Sequence, residues 1–392
     1  MFARQVHQHP STREFGRHPV RTHAIAVIPG DGIGQDVIEA GMRVIRTAEE
    51  VVGDVKLEFE TFPWSCGYYL EHGQMMPDDG LEILEPFDAI YLGAVGFPKL
   101  VPDHISLWGL LLPIRKGFDL YVNLRPCRLL PGLKGILRDK TSKDVDFLVL
   151  RENTEGAYSG VGGRVHVGSD HEVAIQSIVF TRTAVERIMR HGFELARKTG
   201  RKKVTSVTKS NSMQHSQVFW DGIFDLVAAD YPEIIAEQCH VDAMAARMVR
   251  NPESLDVVVA SNLFGDILTD LAAALQGSLG LAPSANVNPD RRVPGFFEPV
   301  HGSAPDIHGK GIANPIAAIW AASLMLETLG EQTMADQILG ALEELTAEGR
   351  VLTPDLGGTA TTWEVADEVC AKLKAGLKPR SLQDQHERSP ES

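Results

Sequence analysis

The chain has 392 residues, 43% of them hydrophobic, which is ample for large cores and for roughly two to three domains of about 100–200 residues each. Its formal net charge is −14, from 38 basic and 52 acidic residues. That balance argues against nucleic acid or an anionic membrane as the main partner, and an anionic ligand would need a local basic pocket. No apolar run reaches the ~18 residues of a membrane span and no secretory h-region is visible, so a cytoplasmic protein is expected. The four cysteines, Cys66, Cys127, Cys239 and Cys370, form no Cys-x-x-Cys pair, which predicts reduced, mostly buried thiols.

Residues 1–22 are polar, rich in His and Arg, and are expected to be a disordered extension. Residues 24–28 read as a strand, followed by the turn Gly30-Asp31-Gly32-Ile33-Gly34 and a helix through Ala48. The third glycine stands one residue early for Gly-x-Gly-x-x-Gly, so the standard dinucleotide fingerprint is rejected, although a tight turn at a helix N-terminus could still approach a ligand. Residues 88–92, 147–150, 175–180, 204–207 and 256–261 read as further strands. Helices are expected from a capping box at Thr183-Ala184-Val185-Glu186 through Lys198, around residues 218–229, and over 315–329 and 334–345. Residues 380–392 read as a polar tail. The alternation indicates an α/β architecture with covered sheets. With no repeat or low-complexity linker, any domain boundary lies in continuous structure, with the chain crossing between domains twice.

Asp266 and Asp270 are four apart in Asn262-Leu263-Phe264-Gly265-Asp266-Ile267-Leu268-Thr269-Asp270, so they share one face at the start of a helix that follows a buried strand. Two such acids repel each other and suit either a divalent cation or a plain solvated helix start. Asp242 follows another strand and is a candidate third ligand. Arg115, Arg125 and Arg151 stand in the compact motifs Ile114-Arg115-Lys116, Asn123-Leu124-Arg125-Pro126 and Leu150-Arg151-Glu152-Asn153. Three arginines can clamp a dicarboxylate by forked hydrogen bonds; taken singly, each also suits an ordinary ion pair. Lys209, at the end of an apolar strand, is a candidate general base or a snorkelling lysine. Tyr158, among turn residues, is a candidate proton donor or a packed phenol. The run from Glu298 to Asp306 reads as a turn-rich loop of the kind that wraps ligands.

Taken together, the Gly30–Gly34 turn and the motifs 123–126, 151–156, 209–211, 262–270 and 298–306 resemble, in order, the β-decarboxylating dehydrogenase family of isopropylmalate, isocitrate, homoisocitrate and tartrate/D-malate dehydrogenases. The resemblance covers about residues 24–375. It implies two open α/β domains with a central cleft, isopropylmalate dehydrogenase-like and not Rossmann. The first would be residues 1–120 with 277–392, and the second residues 121–276, carrying dimer contacts. It implies a homodimer with shared active sites, in which Lys209 and Asp242 reach into the partner's site. Mg²⁺ or Mn²⁺ would be held by Asp242, Asp266 and Asp270, with K⁺ a candidate further ion. Lys209 would take the substrate hydroxyl proton and Tyr158 would protonate the product carbon. Glu298, His301, Gly302, Ser303, Ala304, Pro305, Asp306, Ile307, Asn314 and Asn211 would line the cofactor. NADP-dependent relatives tend to carry a Lys-Tyr pair where this chain has Asp306-Ile307, and an Asp repels a 2′-phosphate, so NAD is expected.

The segment before Arg115 is expected to set specificity. Isocitrate enzymes place a Ser and an Asn six and four residues before that Arg, where this chain has Gly109 and Leu111. Isopropylmalate enzymes have a Glu where Trp108 stands, but share a Leu pair matching Leu111 and Leu112. Asp103-His104-Ile105-Ser106-Leu107-Trp108-Gly109 and Pro63-Trp64-Ser65-Cys66 resemble the tartrate/D-malate dehydrogenases, from which Leu110 and Pro113-Ile114 depart. A small (2R)-2-hydroxy dicarboxylate, D-malate or tartrate, is therefore expected, with 3-isopropylmalate the alternative. A non-catalytic regulatory paralogue would have lost an aspartate, the Lys or the Tyr, and all stand in this chain.

Overall fold

The computed structural model describes residues 20–376; the expected extension up to residue 19 and the tail from 380 lie outside the described residues. Residues 21 and 22, counted in that extension, instead open the first strand, and Arg21 Nη2 pairs with Glu331 at 2.8 Å.

In chain order the strands are β1 (Arg21–Gly30), β2 (Val55–Thr61), β3 (Ala89–Ala94), β4 (Val122–Arg128), β5 (Asp146–Glu152), β6 (Gly162–Val165), β7 (Val173–Gln176), β8 (Lys203–Thr208), β9 (Ile235–His240), β10 (Val257–Ala260), β11 (Pro283–Val287) and β12 (Gly295–Pro299). The helices are α1 (Ile33–Val52), α2 (Cys66–His72), α3 (Gly80–Leu84), α4 (Asp103–Ser106), α5 (Leu112–Gly117), α6 (Arg182–Thr199), α7 (Ser216–Ala228), α8 (Val241–Arg250), α9 (Asn262–Leu275), α10 (Ile316–Thr328), α11 (Gln332–Glu348) and α12 (Thr362–Ala375). A π-helical turn over Leu107–Leu111 joins α4 to α5.

One ten-stranded sheet runs in the order β2-β1-β3-β12-β11-β4-β5-β10-β8-β9. β2, β1, β3 and β12 form a parallel block, and β5, β10, β8 and β9 form another. Three antiparallel pairings, β12–β11, β11–β4 and β4–β5, join them, so the two blocks run in opposite directions. The inner strands of both blocks are covered on both faces, as near-continuous apolar strands require. Along β1, Ile25 and Val27 enter the core beneath α1, α10, α11 and α12, while Ala26 and Ile28 enter the opposite one with Trp64 and Ile114. Along β10, Val257 and Val259 pack with α6 and α7, while Val258 and Ala260 pack with α8 and α9. The period-two alternation of a strand thus feeds two cores at once. α10 is buried on all sides from Ile316 to Leu326, consistent with its uniformly apolar sequence.

Three further expectations are corrected. The strand at 175–180 is displaced: β7 pairs only with β6 in an exposed hairpin apart from the main sheet, and residues beyond Gln176 leave it. Helix α6 is capped by Thr181, whose extended backbone turns Oγ1 onto the Ala184 amide at 3.2 Å; Thr183 lies inside the first turn and Glu186 pairs with Arg190 instead. Glu298 and Pro299 belong to β12 rather than to a loop, their strand character concealed in the sequence by the flanking Gly and Pro. The glycine turn packs on protein: a Cβ at Gly32 would lie 2.0 Å from the Ser303 carbonyl oxygen, and one at Gly34 would lie 2.5 Å from the Ala94 nitrogen.

Candidate active site

The expected arginines converge where the two blocks meet. Arg125 projects from β4, Arg151 from β5, and Arg115 from α5, and each is nine-tenths or more buried. They line a cavity of about 260 Å³ together with Leu107, Trp108, Leu111, Leu112, Tyr158, Asp266, Glu298, His301 and Gly302. Three cations in so small a space require countercharge. Arg115 Nη2 pairs with Glu298 at 2.5 Å, and Arg151 Nη1 pairs with Asp266, which also lies 3.7 Å from Arg125 Nη2. Arg125 Nη1 donates to Thr269 Oγ1 at 2.5 Å, and Arg151 Nε to Asn262 Oδ1 at 2.9 Å. The Nε atoms of Arg115 and Arg125 have no partner among the described residues. Burial, then the neighbouring Arg151, pulls Arg125 down to about 10.

α9 presents Asp266 to this cluster, and Gly265 lets its first turn lie against the Arg151 side chain, 2.7 Å from where a Cβ would sit. Burial works against the Asp266 carboxylate, but Arg151 and Arg125 outweigh it and hold it below the ordinary range. Asp270, one turn on, reaches solvent; its carboxyl is raised, by desolvation first and then by Asp266. Tyr158 Oη donates to Asp266 Oδ2 at 3.0 Å, and desolvation, then Asp266, keeps the phenol protonated above its usual value. Arg151 stacks 5.4 Å from the Tyr158 ring centroid.

Lys209 and Asp242 lie outside the cavity, paired with each other at 2.8 Å; Asp242 is 68% exposed. Asn211, two residues after Lys209, is exposed. Among the described residues no group of three or more His, Cys, Asp or Glu could hold a metal, so one chain brings together the Asp266–Asp270 pair but not Asp242. Oxygen donors of this kind suit a hard divalent cation, and a complete set needs a ligand from elsewhere.

The loop after β12 carries the residues expected around a cofactor. His301 lines the cavity with Nε2 buried and unpartnered, and burial lowers its pKa. Ser303 Oγ donates to the Gly96 carbonyl, the Ser303 carbonyl accepts from Ile33 N at 2.8 Å, and Ala304 holds φ +36°. Pro305 and Asp306 are exposed and Ile307 is half-buried. Asn314 has a structural task, donating to Asp355 at 3.0 Å while its side-chain carbonyl accepts from Ile316 N.

Sequence reasoning missed the groups beneath this cluster. Asn286 donates to Glu298 Oε1 at 3.0 Å and accepts from Asn123 and Asn153 at 2.6 and 2.9 Å, so β4, β11, β12 and the end of β5 share one buried polar network. Asparagines in apolar strands are the available signal, since a buried amide needs partners.

The chain matches the isocitrate/isopropylmalate dehydrogenase family over residues 24–369. It is 56% identical over 350 residues to a probable tartrate dehydrogenase/decarboxylase of Bacillus subtilis (strain 168), covering 89% of this chain and 98% of that one. It is 56% identical over 357 residues to the decarboxylating D-malate dehydrogenase of Escherichia coli (strain K12), with 90% and 98% covered. Its fold matches the crystal structure of isocitrate dehydrogenase from Methylococcus capsulatus with a TM-score of 0.81 at 36% identity, over 90% of this chain and 99% of that one. The chain therefore belongs to the isocitrate/isopropylmalate dehydrogenase family and is an oxidoreductase of the decarboxylating dehydrogenase kind.

Proposed function

We propose that this protein oxidises and decarboxylates a small 2-hydroxy dicarboxylate, D-malate or tartrate, using NAD and a divalent cation, as a homodimer whose active sites are shared. The observation that carries this reading is the convergence of Arg115, Arg125 and Arg151 with Tyr158 and Asp266 on one cavity of about 260 Å³. That volume lies below the ~300–1,000 Å³ of ordinary ligand pockets and suits a small acid. Forked guanidinium donors would hold its carboxylates. Relatives named for tartrate and D-malate support this substrate class.

Asp266 and Asp270, with Asp242 of a second copy, would hold Mg²⁺ or Mn²⁺, which when bound supplies Lewis acidity toward the substrate oxygens. NAD, along the 301–307 loop with the His301 Nε2 atom free to bond it, takes the hydride when bound. Lys209 of a second copy would take the hydroxyl proton. Tyr158, held protonated, would deliver a proton to the carbon that loses its carboxylate. Exposed apolar residues on the helix after Lys209 and on the helix carrying Asp242, Val218 and Phe219 on α7 and Val249 on α8, suit burial against such a copy.

The wall of Leu107, Leu111 and Leu112 favours one second reading, a branched alkyl substituent as in 3-isopropylmalate. Trp108 stands against it by occupying part of that side. NADH production from D-malate, L-tartrate, 3-isopropylmalate and isocitrate, each with Mn²⁺ and K⁺, separates the readings. The highest kcat/KM is expected on D-malate or tartrate; a dominant rate on isocitrate or isopropylmalate would refute this substrate assignment, and a preference for NADP would refute the cofactor.

A further inference from the structure

The loop carrying Tyr158 is held through its backbone carbonyls by three side chains: Asn262 on Glu155 O at 3.1 Å, Gln176 on Ala157 O at 2.9 Å, and Lys116 on Tyr158 O itself at 2.8 Å. Asn262 comes from α9, which packs on the β5–β10 block, and Gln176 comes from β7 of the separate hairpin. Lys116 comes from α5, whose Ile114, with Phe118 just past its end, packs in the core beside β1 and β3. Its Nζ lies 4.7 Å from the Trp108 ring centroid, and no carboxylate pairs with it among the described residues. Trp108 reaches the same loop: a Cβ at Gly160 would come within 3.0 Å of its Cη2 atom, and Gly160, at φ +81°, leaves that space open. Partial burial lowers the Lys116 pKa, as expected for an ammonium with one carbonyl and one π-face in place of water.

We propose that Lys116 is a positioning residue, clasped beneath Trp108, that fixes the Tyr158 loop from the opposite side of the cavity and so sets where the phenol points. Lys116 touches neither the cavity nor Asp266 and acts through Tyr158. Adjacent residues thereby divide the work: Arg115 faces the substrate cavity, while Lys116 ties its other wall. The kinetic part rests on the reading of Tyr158 as proton donor; the positioning part does not.

The test compares full-length Lys116→Met, Lys116→Arg, Tyr158→Phe and the Lys116→Met/Tyr158→Phe double variant. Misplacing a reacting group by about 1 Å costs on the order of 10²-fold. K116M is therefore expected to lower kcat on D-malate by about ten- to hundredfold with KM changed less than about threefold. K116R is expected to recover most of that loss, and K116M is expected to add nothing on the Y158F background. Hydrogen–deuterium exchange should rise in residues 154–161 of K116M, but not in K116R, with the rest of the chain unchanged. Unaltered exchange in that segment, or losses in K116M and Y158F that multiply, would overturn the proposal. Full turnover in Y158F would instead refute the proton-donor reading, while exchange would still decide whether Lys116 holds the loop.

Discussion

Two groups of charged residues teach different lessons. Arg115, Arg125, Arg151, Asp266 and Tyr158 form a preorganised cluster in which Asp266 and Glu298 offset part of the three guanidinium charges around a cavity. Lys209 and Asp242 form a lone ion pair on the surface, away from that cavity. In the function proposed above the first group would anchor a dicarboxylate and donate a proton, and it would still need a base and a third acidic ligand. The second group consists of one base and one acid. A half-site inside and its missing half outside is the pattern expected when a symmetric dimer completes each site with residues from both chains.

The comparison breaks first at Lys209. Lys209→Ala is expected to lower kcat by ~10²–10⁴-fold while leaving thermal unfolding and the state of assembly unchanged, because a partly exposed ion pair contributes little to stability. Unchanged turnover in the purified variant would reduce the outer pair to surface decoration.

Arg151→Gln should show the opposite balance. Arg151 is 3% exposed, and removing it leaves Asp266 with the Tyr158 hydroxyl and a more distant Arg125. A stability loss of roughly 3 kcal/mol is expected from denaturant unfolding, alongside a raised KM for the dicarboxylate. The same pairing fixes a pH dependence. The folded pKa of Asp266 is depressed, so its stabilising contribution is fully present above the unfolded value of ~3.9 and is lost as pH falls through the lower folded value. The stability gap between wild type and Asp266→Asn should therefore persist at neutral pH and shrink only below about pH 4.

Trp108→Leu tests the apolar wall. One methylene is worth ~10–200-fold in discrimination, so the kcat/KM ratio of 3-isopropylmalate to D-malate should rise about tenfold. Taking a ratio cancels any loss common to both substrates. A small effect on the metal-free protein belongs to Asp270, whose carboxyl is raised by desolvation and then by Asp266, so that its negative charge costs the fold some stability. Asp270→Asn should raise the metal-free Tm by about 1–2 °C. It should also abolish the stabilisation, roughly 2.7 kcal/mol at a hundredfold excess over Kd, expected of Mg²⁺ on the wild type under the proposed function.

What was legible in the sequence was local. The i, i+4 spacing of Asp266 and Asp270 placed both on one helix, and the strand-end positions of Arg151 and Lys209 were readable from the apolar runs before them. The rest depends on distance along the chain. Arg115 finds Glu298 across 183 residues, and Lys116 finds the Tyr158 carbonyl across 42, pairings that no periodicity announces. The single sheet was also hidden, because β11 and β12 return from late in the chain to lie between β3 and β4. Local chemistry misled where two residues could each play one part, as at Thr181 and Thr183, and backbone geometry chose the earlier one.

Subunit mixing tests the shared site most directly. Lys209→Ala and Tyr158→Phe subunits, each nearly inactive alone, would be co-refolded and heterodimer formation verified by native mass spectrometry. In each heterodimer one site would combine an intact Tyr158 with an intact Lys209 and the other would carry both defects. Statistical mixing should then restore about a quarter of wild-type activity. Verified heterodimers no more active than the two parents would contradict the account and place the whole site within one chain.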